Sequence, residues 1–161
     1  MMEQPYFVAY FQSPIDWLEI VCNDTGLISL NFRQKKDLPE NPSTLTDLVA
    51  TQLKAYFEGH LKEFDIPLLL AGTAFQQTVW HHLQEIPYGQ TISYATLARM
   101  YGDINAIRAV ANANGKNQHA IIIPCHRVIG SDGSLTGYAG GLERKRWLLI
   151  HEAQQNGQTL F

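Results

Sequence analysis

A cysteine next to a histidine is the pair in this sequence with the side chains needed for nucleophilic chemistry. Cys125 and His126 follow an apolar run at 121–123 and a proline. Cysteine reacts as the thiolate, whereas a free thiol is mostly protonated at neutral pH. A nearby histidine can accept that proton, and a carboxylate commonly orients such a histidine. Glu152, near the end of the chain, offers that carboxylate, so the three residues predict a Cys-His-Glu nucleophilic site.

The Cys-His pair by itself leaves the reaction open. Neighbouring residues rarely face each other, so a turn or a bridging water has to join Cys125 to His126. The same side chains would fit a cysteine hydrolase, and a lone pair of this kind is more often a buried structural cysteine beside a surface histidine. The other cysteine is Cys22, and two cysteines exclude both a disulfide framework and a four-cysteine zinc site. Because a free thiol suits a reducing cytosol, we expect a cytoplasmic protein.

Short helices are predicted on both sides of the cysteine. They span 74–86, 93–101, 105–114 and 143–153. Ser93 can cap the second helix, and the turn at Gly102 joins it to the third in a helix-turn-helix pattern. Any small helical bundle contains such pairs, so this pattern alone does not identify a DNA-binding protein. A short buried strand is predicted at 121–123 and a glycine-rich loop at 130–141.

The first part of the chain has a different character. Alternating apolar residues between 5 and 32 predict short strands, and the turn at 23–26 predicts a hairpin. A helix is predicted over 44–60. Residues 64–73 are predicted to be extended and to contain the domain boundary. The expected domains are an N-terminal α/β domain at 1–70 and a C-terminal DNA-binding and active-site domain at 71–161.

The distribution of charge limits the possible partners. The net charge of −3 argues against a nucleic-acid partner. However, residues 1–70 hold 5 Lys and Arg against 10 Asp and Glu, whereas residues 71–161 hold 7 against 5. The second part is therefore the only one whose charge favours phosphate contact. We expect no membrane span, because no apolar run reaches about 18 residues. The first residues also lack the basic and apolar regions of a signal peptide.

A longer pattern around the cysteine narrows the chemistry. The second half of the chain closely resembles the O6-alkylguanine-DNA alkyltransferases, or methylated-DNA–protein-cysteine methyltransferases, in the strings IPCHRV, GSDGSLTGYAGG and ERKRWLLIHE. The resemblance begins at FQQTVW, continues through IPYGQTISYATLA and IRAVANANGKN, and covers about residues 74–153. It implies an α+β protein with a small N-terminal α/β domain, ribonuclease H-like, followed by a mostly helical, winged helix-turn-helix-like C-terminal domain.

The resemblance also implies a reaction. The family repairs DNA by direct damage reversal, in an irreversible and stoichiometric transfer of a methyl or larger alkyl group from O6-alkylguanine, and also from O4-alkylthymine, to its own cysteine. Cys125 would be this acceptor. His126 would draw the thiol proton through a water, and Glu152 would orient the histidine. Tyr94 would donate toward N3 of the leaving guanine, and Asn117 would brace the active-site turn.

By the same resemblance, the DNA is bound through its minor groove, with the target base turned out of the stack. Arg108 would fill the vacated space. The DNA-binding residues would be Tyr94, Arg108, Ala109, Ala113 and Asn114. In the pocket, Tyr138 and the glycine-rich loop would form a wall against the flipped base. The Ala139 N–H would point at the guanine oxygen, the Val128 carbonyl would point at the exocyclic amine, and Gly140 would leave room for bulky alkyl groups.

Two other function classes remain as alternatives. A non-catalytic sensor would bind the lesion without removing it, but such alkyltransferase-like proteins lack the acceptor cysteine that is present here. A cysteine hydrolase would turn over repeatedly and would give Arg108 and the helix-turn-helix no role. The resemblance implies no cofactor. Because the cysteine and histidine cluster of zinc-binding relatives is missing, we expect no metal, and we expect a monomer in solution.

Overall fold

The computed structural model describes residues 6–157, and the chain divides into two compact units. Within the described residues, the first unit extends to Ala71 and takes in Gln118–Ala120. The second unit consists of Gly72–Asn117 and the chain from Ile121 onward. The first holds a sheet and one helix, and the second is mostly helical. The predicted α+β architecture, a small sheet domain followed by a helical domain, is confirmed.

The first unit is built on a three-stranded antiparallel sheet. Its strands, in spatial order, are β1 (Phe7–Ser13), β2 (Asp16–Cys22) and β3 (Leu27–Arg33). In β2, the alternate residues Leu18, Ile20 and Cys22 are fully buried, as expected for a strand with one face on a core. Asn23 closes the predicted hairpin, because its side-chain oxygen accepts hydrogen bonds from the backbone N–H groups of Thr25 and Gly26.

Helix α1 (Thr44–Phe57) packs against β1 and β2. Ser43 caps its first turn in a reciprocal capping box with Thr46. The helix buries Val49, Leu53 and Tyr56 at helical spacing. It ends three residues before the predicted end at position 60, because Gly59 takes a left-handed φ of 81° that terminates the helix.

Four helices and a short parallel ladder form the second unit. The helices are α2 (Ala74–Leu83), α3 (Tyr94–Tyr101), α4 (Ile107–Gly115) and α5 (Leu142–Gln155). Strands β4 (Ile92–Ser93) and β5 (Val128–Ile129) pair in parallel. Helices α2, α3 and α4 pack against one another. The buried indole of Trp80 donates to the carbonyl of Ala113 at 2.8 Å, which ties α2 to α4.

The helix-turn-helix pattern is confirmed, with adjusted boundaries. Ser93 caps α3 as predicted, and Gly102 ends it with a left-handed φ of 105°. A 3-10 turn at Ile104–Ala106 replaces the predicted start of the next helix. Helix α4 then includes Gly115, which the sequence pattern placed just past its end.

The strand predicted at 121–123 is wrong. These residues form a turn, and Ile121 has a left-handed φ of 70°. Ile121 and Ile123 are buried, so the apolar run correctly indicated burial but not conformation. The predicted helix over 74–86 likewise ends at Leu83. Within residues 6–157, no helix combines the length and the apolar character needed to cross a membrane.

Candidate active site

Cys125 begins a single 3-10 turn, Cys125–Arg127, that leads directly into β5. Backbone hydrogen bonds tighten the chain here: the N–H of Cys125 donates to the carbonyl of Ile123 at 2.8 Å, and the N–H of Arg127 donates to that of Pro124 at 3.0 Å. The cysteine is 6% exposed. The local backbone therefore fixes the sulfur at the edge of the core.

Asn117 holds this turn from the end of α4. Its Nδ2 donates to the carbonyl of Ile123 at 2.8 Å and contacts Sγ of Cys125 at 3.2 Å. Burial raises the pKa of the Cys125 thiol, although the Asn117 hydrogen bond and the charge of Lys145 act in the opposite direction. The resting sulfur is therefore a thiol, and a base must remove its proton before it can attack.

His126 and Glu152 form a buried pair beside the cysteine. Nε2 of His126 lies 2.8 Å from Oε2 of Glu152, and neither side chain is more than 1% exposed. Burial alone would raise the pKa of Glu152, but His126 and Arg127 outweigh it and hold the carboxyl well below its usual range. Burial lowers the pKa of His126 despite the attraction of Glu152. The pair at rest is thus a neutral imidazole and a carboxylate.

The protonation of this pair leaves one nitrogen of His126 as a base. An ionised carboxylate only accepts hydrogen bonds, so Nε2 must carry the proton that it donates to Glu152. Nδ1 of the neutral ring then holds a lone pair, and it is buried without a hydrogen-bond partner. Within residues 6–157, no hydrogen bond joins the ring to Sγ of Cys125. A proton moving from sulfur to Nδ1 therefore needs a bridging group.

Two donors converge on one carbonyl of the glycine-rich loop. The Tyr94 hydroxyl donates to the Thr136 carbonyl at 3.0 Å, and Nζ of Lys145 donates to it at 2.7 Å. Burial raises the pKa of Tyr94 and lowers that of Lys145 to about 8. Gly137 follows with a φ of 64°, and a β-carbon there would come within 3.2 Å of the Tyr94 hydroxyl. The loop is thus attached to the residues that surround the sulfur.

The predicted pocket residues lie on β5 and on the same loop. Val128 is fully buried as the first residue of β5. The Tyr138 hydroxyl is buried without a hydrogen-bond partner, and burial raises the pKa of that phenol well above its usual value. Ala139 is exposed, and the Gly140 carbonyl accepts from Arg144 at 2.7 Å. Their predicted contacts with a base remain predictions.

Four of the five predicted DNA-binding residues lie on α4, and Tyr94 is the first residue of α3. Arg108 and Ala109 are exposed, in agreement with a role at a surface. Ala113 and Asn114 are each 1% exposed, so both side chains are buried in this structure, and their assignment to the DNA surface stays a prediction. The helical period turns positions 113 and 114 toward the core. There the carbonyl of Ala113 accepts from Trp80, and Asn114 donates to the carbonyl of Cys125 at 3.4 Å.

Two family models match this chain and together cover most of it. The family model described as "6-O-methylguanine DNA methyltransferase, DNA binding domain" matches residues 74–154. The model described as "6-O-methylguanine DNA methyltransferase, ribonuclease-like domain" matches residues 6–70. The chain belongs to the 6-O-methylguanine DNA methyltransferase family.

Curated relatives in this family match nearly the whole chain. A methylated-DNA–protein-cysteine methyltransferase of Mycobacterium bovis is 60% identical over 143 residues, covering 85% of this chain and 86% of the relative. The protein of that name from Methanosarcina acetivorans is 45% identical over 149 residues, covering 89% and 96%.

Solved structures of the 6-O-methylguanine DNA methyltransferase family also superpose on this chain. The O6-methylguanine methyltransferase of Mycobacterium tuberculosis superposes with a TM-score of 0.85 at 44% identity, covering 94% of each chain. A structure of the Mycobacterium tuberculosis protein OGT in complex with DNA gives a TM-score of 0.83 at 45% identity, covering 93% of each chain.

Two residues of this methyltransferase-family site were missed by sequence reasoning. Arg127 follows the Cys-His pair and binds both oxygens of Glu152. Lys145 lies two helical turns before Glu152 in α5, so its spacing alone places both side chains on one face of the helix. Among residues 6–157, no group of three or more His, Cys, Asp or Glu side chains is arranged to hold a metal ion.

Proposed function

We propose that this chain repairs DNA by direct damage reversal, moving one alkyl group irreversibly from O6 of guanine to Sγ of Cys125. Membership of the 6-O-methylguanine DNA methyltransferase family supports the reaction class. The observation that carries the assignment to this sulfur is its position: Sγ lies 3.2 Å from Asn117 in a tight turn, next to the buried His126–Glu152 pair. Cys22 has no such surroundings, and burial alone raises its pKa to about 11.

The bond changes follow from in-line displacement. The Cys125 thiolate attacks the alkyl carbon, a carbon–sulfur bond forms, and the bond from that carbon to O6 breaks. The electron pair of the broken bond stays with guanine, which leaves as an anion. It becomes the repaired base when it takes up one proton from solvent, and the release of the thiol proton from His126 balances this uptake. The thioether product is not readily hydrolysed, so each molecule acts once and the protein is a suicide methyltransferase.

The thiol proton goes to His126. Nδ1 holds the lone pair, and one water between Sγ and Nδ1 would complete the path that no direct hydrogen bond provides. Glu152 stabilises the imidazolium that forms and keeps the ring in the tautomer that exposes Nδ1. The resulting thiolate is favoured by the Asn117 hydrogen bond and by the positive charge of Lys145.

The leaving guanine carries developing negative charge, and Tyr94 offsets it. In the free protein, the Tyr94 hydroxyl is bound to the Thr136 carbonyl. When the base enters, this hydroxyl exchanges the carbonyl for N3 of the guanine. Because burial raises the pKa of the phenol, the hydroxyl keeps its proton and remains a donor.

The flipped base lies against the glycine-rich loop. Tyr138 forms the wall of the pocket, the Ala139 N–H binds O6, the Val128 carbonyl binds the exocyclic amine, and Gly140 leaves space for the alkyl group. We expect bulky O6-alkyl groups, and also O4-alkylthymine, to be accepted. Inactivation of the protein by free O6-benzylguanine tests the pocket, and complete resistance would contradict an open one.

Duplex DNA is the partner, and its support is the family's DNA-binding domain together with the relative solved in complex with DNA. Helix α4 enters the minor groove, Arg108 fills the space left by the flipped base, and Ala109 permits close approach. In this proposal, the domain at 71–161 carries both DNA binding and chemistry, and the protein acts in the cytoplasm as a monomer.

Mass spectrometry of the intact protein and of its peptides tests the proposal. After incubation with a duplex containing O6-methylguanine, we expect one methyl group on the peptide that holds Cys125. Cys125→Ala should bind the duplex and leave the lesion in place, whereas the control Cys22→Ala should still accept the methyl group. Lesion removal by Cys125→Ala would overturn the proposal. Persistent binding without transfer would indicate a sensor, and repeated turnover would indicate a hydrolase.

A further inference from the structure

The guanidinium of Arg127 is held by three side-chain hydrogen bonds in the candidate site. Its Nε donates to Oε1 of Glu152 at 2.8 Å, and its Nη2 donates to Oε2 at 3.0 Å. The remaining amine, Nη1, donates to the carbonyl of Ile86 at 2.7 Å. The guanidinium lies over the ring of Tyr88, 5.6 Å from its centroid, and the residue is 7% exposed. Every terminal group of this side chain is held in place.

These contacts fix the position of Glu152 relative to His126. A bidentate guanidinium–carboxylate pair defines the plane of the carboxylate as well as its location. Oε2 is shared, since it accepts from both Arg127 and Nε2 of His126. The anchor at Ile86 holds the guanidinium from the opposite side. The histidine therefore meets a carboxylate that cannot rotate away.

The same contacts balance charge in the buried part of the site. Glu152 is 1% exposed and His126 is fully buried. A buried carboxylate with no other cation would draw a proton onto the adjacent imidazole. Arg127 already supplies the compensating positive charge, so the cluster is neutral with His126 unprotonated.

We infer that Arg127 is a positioning residue for alkyl transfer: it fixes Glu152 against Nε2 of His126 and balances the carboxylate charge, so that Nδ1 stays free to accept the thiol proton. This inference rests on the proposed function. It assigns Arg127 no contact with DNA or with the alkyl group, and its effect passes through Glu152 and His126 alone.

Other charged groups around His126 have to be considered in any test. Glu152 and Lys145 act on it from α5, and Arg127 acts from its own turn. Burial lowers the pKa of His126, as does the charge of Arg127, whereas Glu152 raises it. Helix α2 also packs against the turn and carries His81 and His82 in its last turn. The titration must therefore be followed on the His126 ring itself.

The test is the pH profile of single-turnover methyl transfer, combined with an NMR titration of the His126 ring. In the wild type, transfer slows on the acid side as His126 becomes protonated. Arg127→Met leaves Glu152 uncompensated, so the acid limb and the His126 titration should both move to higher pH by about one unit. At a pH just above the acid limb of the wild type, Arg127→Met should then transfer the methyl group roughly tenfold more slowly than the wild type. Its rate should recover at higher pH.

Two further variants keep the test decisive if Arg127→Met does not fold. Arg127→Lys retains the positive charge without the bidentate hydrogen bonds, so its acid limb should move from that of the wild type by less than about one pH unit. The double variant Arg127→Met with Glu152→Gln removes both charges, and its His126 titration should not move to higher pH. Arg33→Met is the matched control, because it breaks an arginine–glutamate pair in the first unit, where Arg33 lies 3.5 Å from Glu19. Its acid limb should be that of the wild type.

The outcomes separate this inference from the proposed function. If the wild type does not place a methyl group on Cys125, the proposed function fails. If the wild type transfers the group while the Arg127 variants slow equally at every pH and leave the His126 titration in place, Arg127 is a structural residue only and the inference is overturned. A shifted limb together with a shifted His126 titration supports it.

Discussion

Asn117 and Cys125 are joined by a 3.2 Å contact from the amide Nδ2 to Sγ, and the same nitrogen donates to the carbonyl of Ile123 at 2.8 Å. One side chain thus holds both the turn and the atom that the turn presents. The amide can also stabilise the thiolate, because a hydrogen bond to the charged form lowers a thiol pKa. Position and reactivity of the sulfur therefore depend on one residue.

Replacing Asn117 by alanine should slow alkyl transfer. The variant loses two hydrogen bonds in a buried turn, each worth about 1–3 kcal/mol when its partner is left unpaired. We expect transfer to be roughly tenfold to a hundredfold slower, with a lower melting temperature. Gln34→Ala is the control, since Gln34 carries an amide side chain that is exposed in the first unit. Single-turnover rates on methylated duplex measure the difference, and equal rates for the two variants would contradict a bracing role.

The Tyr94 hydroxyl should contribute to transfer but little to binding. Tyr94→Phe removes the donor that offsets charge on the leaving guanine, so we expect roughly a hundredfold loss in the transfer rate. Tyr101→Phe removes a hydroxyl from an exposed tyrosine of the same helix and should keep the wild-type rate. Rates at saturating DNA distinguish the two effects. A Tyr94→Phe rate equal to that of Tyr101→Phe would exclude the phenol from the chemistry.

The sequence predicted the elements better than it predicted which faces of them are buried. Capping residues and apolar spacing located α1, α3 and the last helix within a few residues. The turn at 121–123 was missed because an apolar run indicates burial and not conformation. The burial of Ala113 and Asn114 was not predicted, since a motif match carries residue identities without their orientation.

The contacts within the site were only partly accessible from sequence. The approach of Glu152 to His126 and of Asn117 to the cysteine turn agrees with the family resemblance. Arg127 was missed because adjacent residues give no information about which distant carboxylate a side chain reaches. Lys145 lies at a spacing that predicts the same helix face as Glu152, but its contact with Thr136 depends on how the glycine-rich loop folds back. The catalytic roles of all these residues remain proposals.

Arg108 should matter for duplex DNA and not for a free base. If the guanidinium fills the space of the flipped base, Arg108→Ala should destabilise the flipped-out position of the base. Methyl transfer from duplex should then be about tenfold to a hundredfold slower. Inactivation by free O6-benzylguanine needs no flipping and should proceed at the wild-type rate. Lys54→Ala removes an equal charge from exposed α1 and should leave both rates unchanged. Equal losses with duplex and free base would contradict the proposal that Arg108 fills the space of the flipped base.

Lys145 should favour reactivity at a cost in stability. Burial lowers the pKa of Lys145 from 10.5, its ordinary value in the unfolded chain, to about 8 in the folded protein. Folding therefore disfavours the charged form of this side chain. The unfolded state binds more protons between pH 8 and 10.5, and stability from this group therefore rises with pH across that window. Lys145→Met should remove this rise in denaturant unfolding while slowing transfer by about a hundredfold. Retention of both properties would contradict the assignment.

The His126–Glu152 pair should make the fold sensitive to acid. Burial lowers the pKa of His126 below its ordinary 6.5, so the unfolded chain binds the proton first and stability falls as pH drops below about 6.5. The pKa of Glu152 is held below its ordinary 4.5 by His126 and Arg127, against the effect of burial, so a second loss begins below about 4.5. Melting temperatures measured from pH 8 to pH 4 should decline in these two ranges.

His60→Gln, at an exposed position, should follow the wild-type curve, whereas His126→Gln should lose the decline that begins near pH 6.5. An unchanged curve for His126→Gln would mean that other groups cause the acid sensitivity.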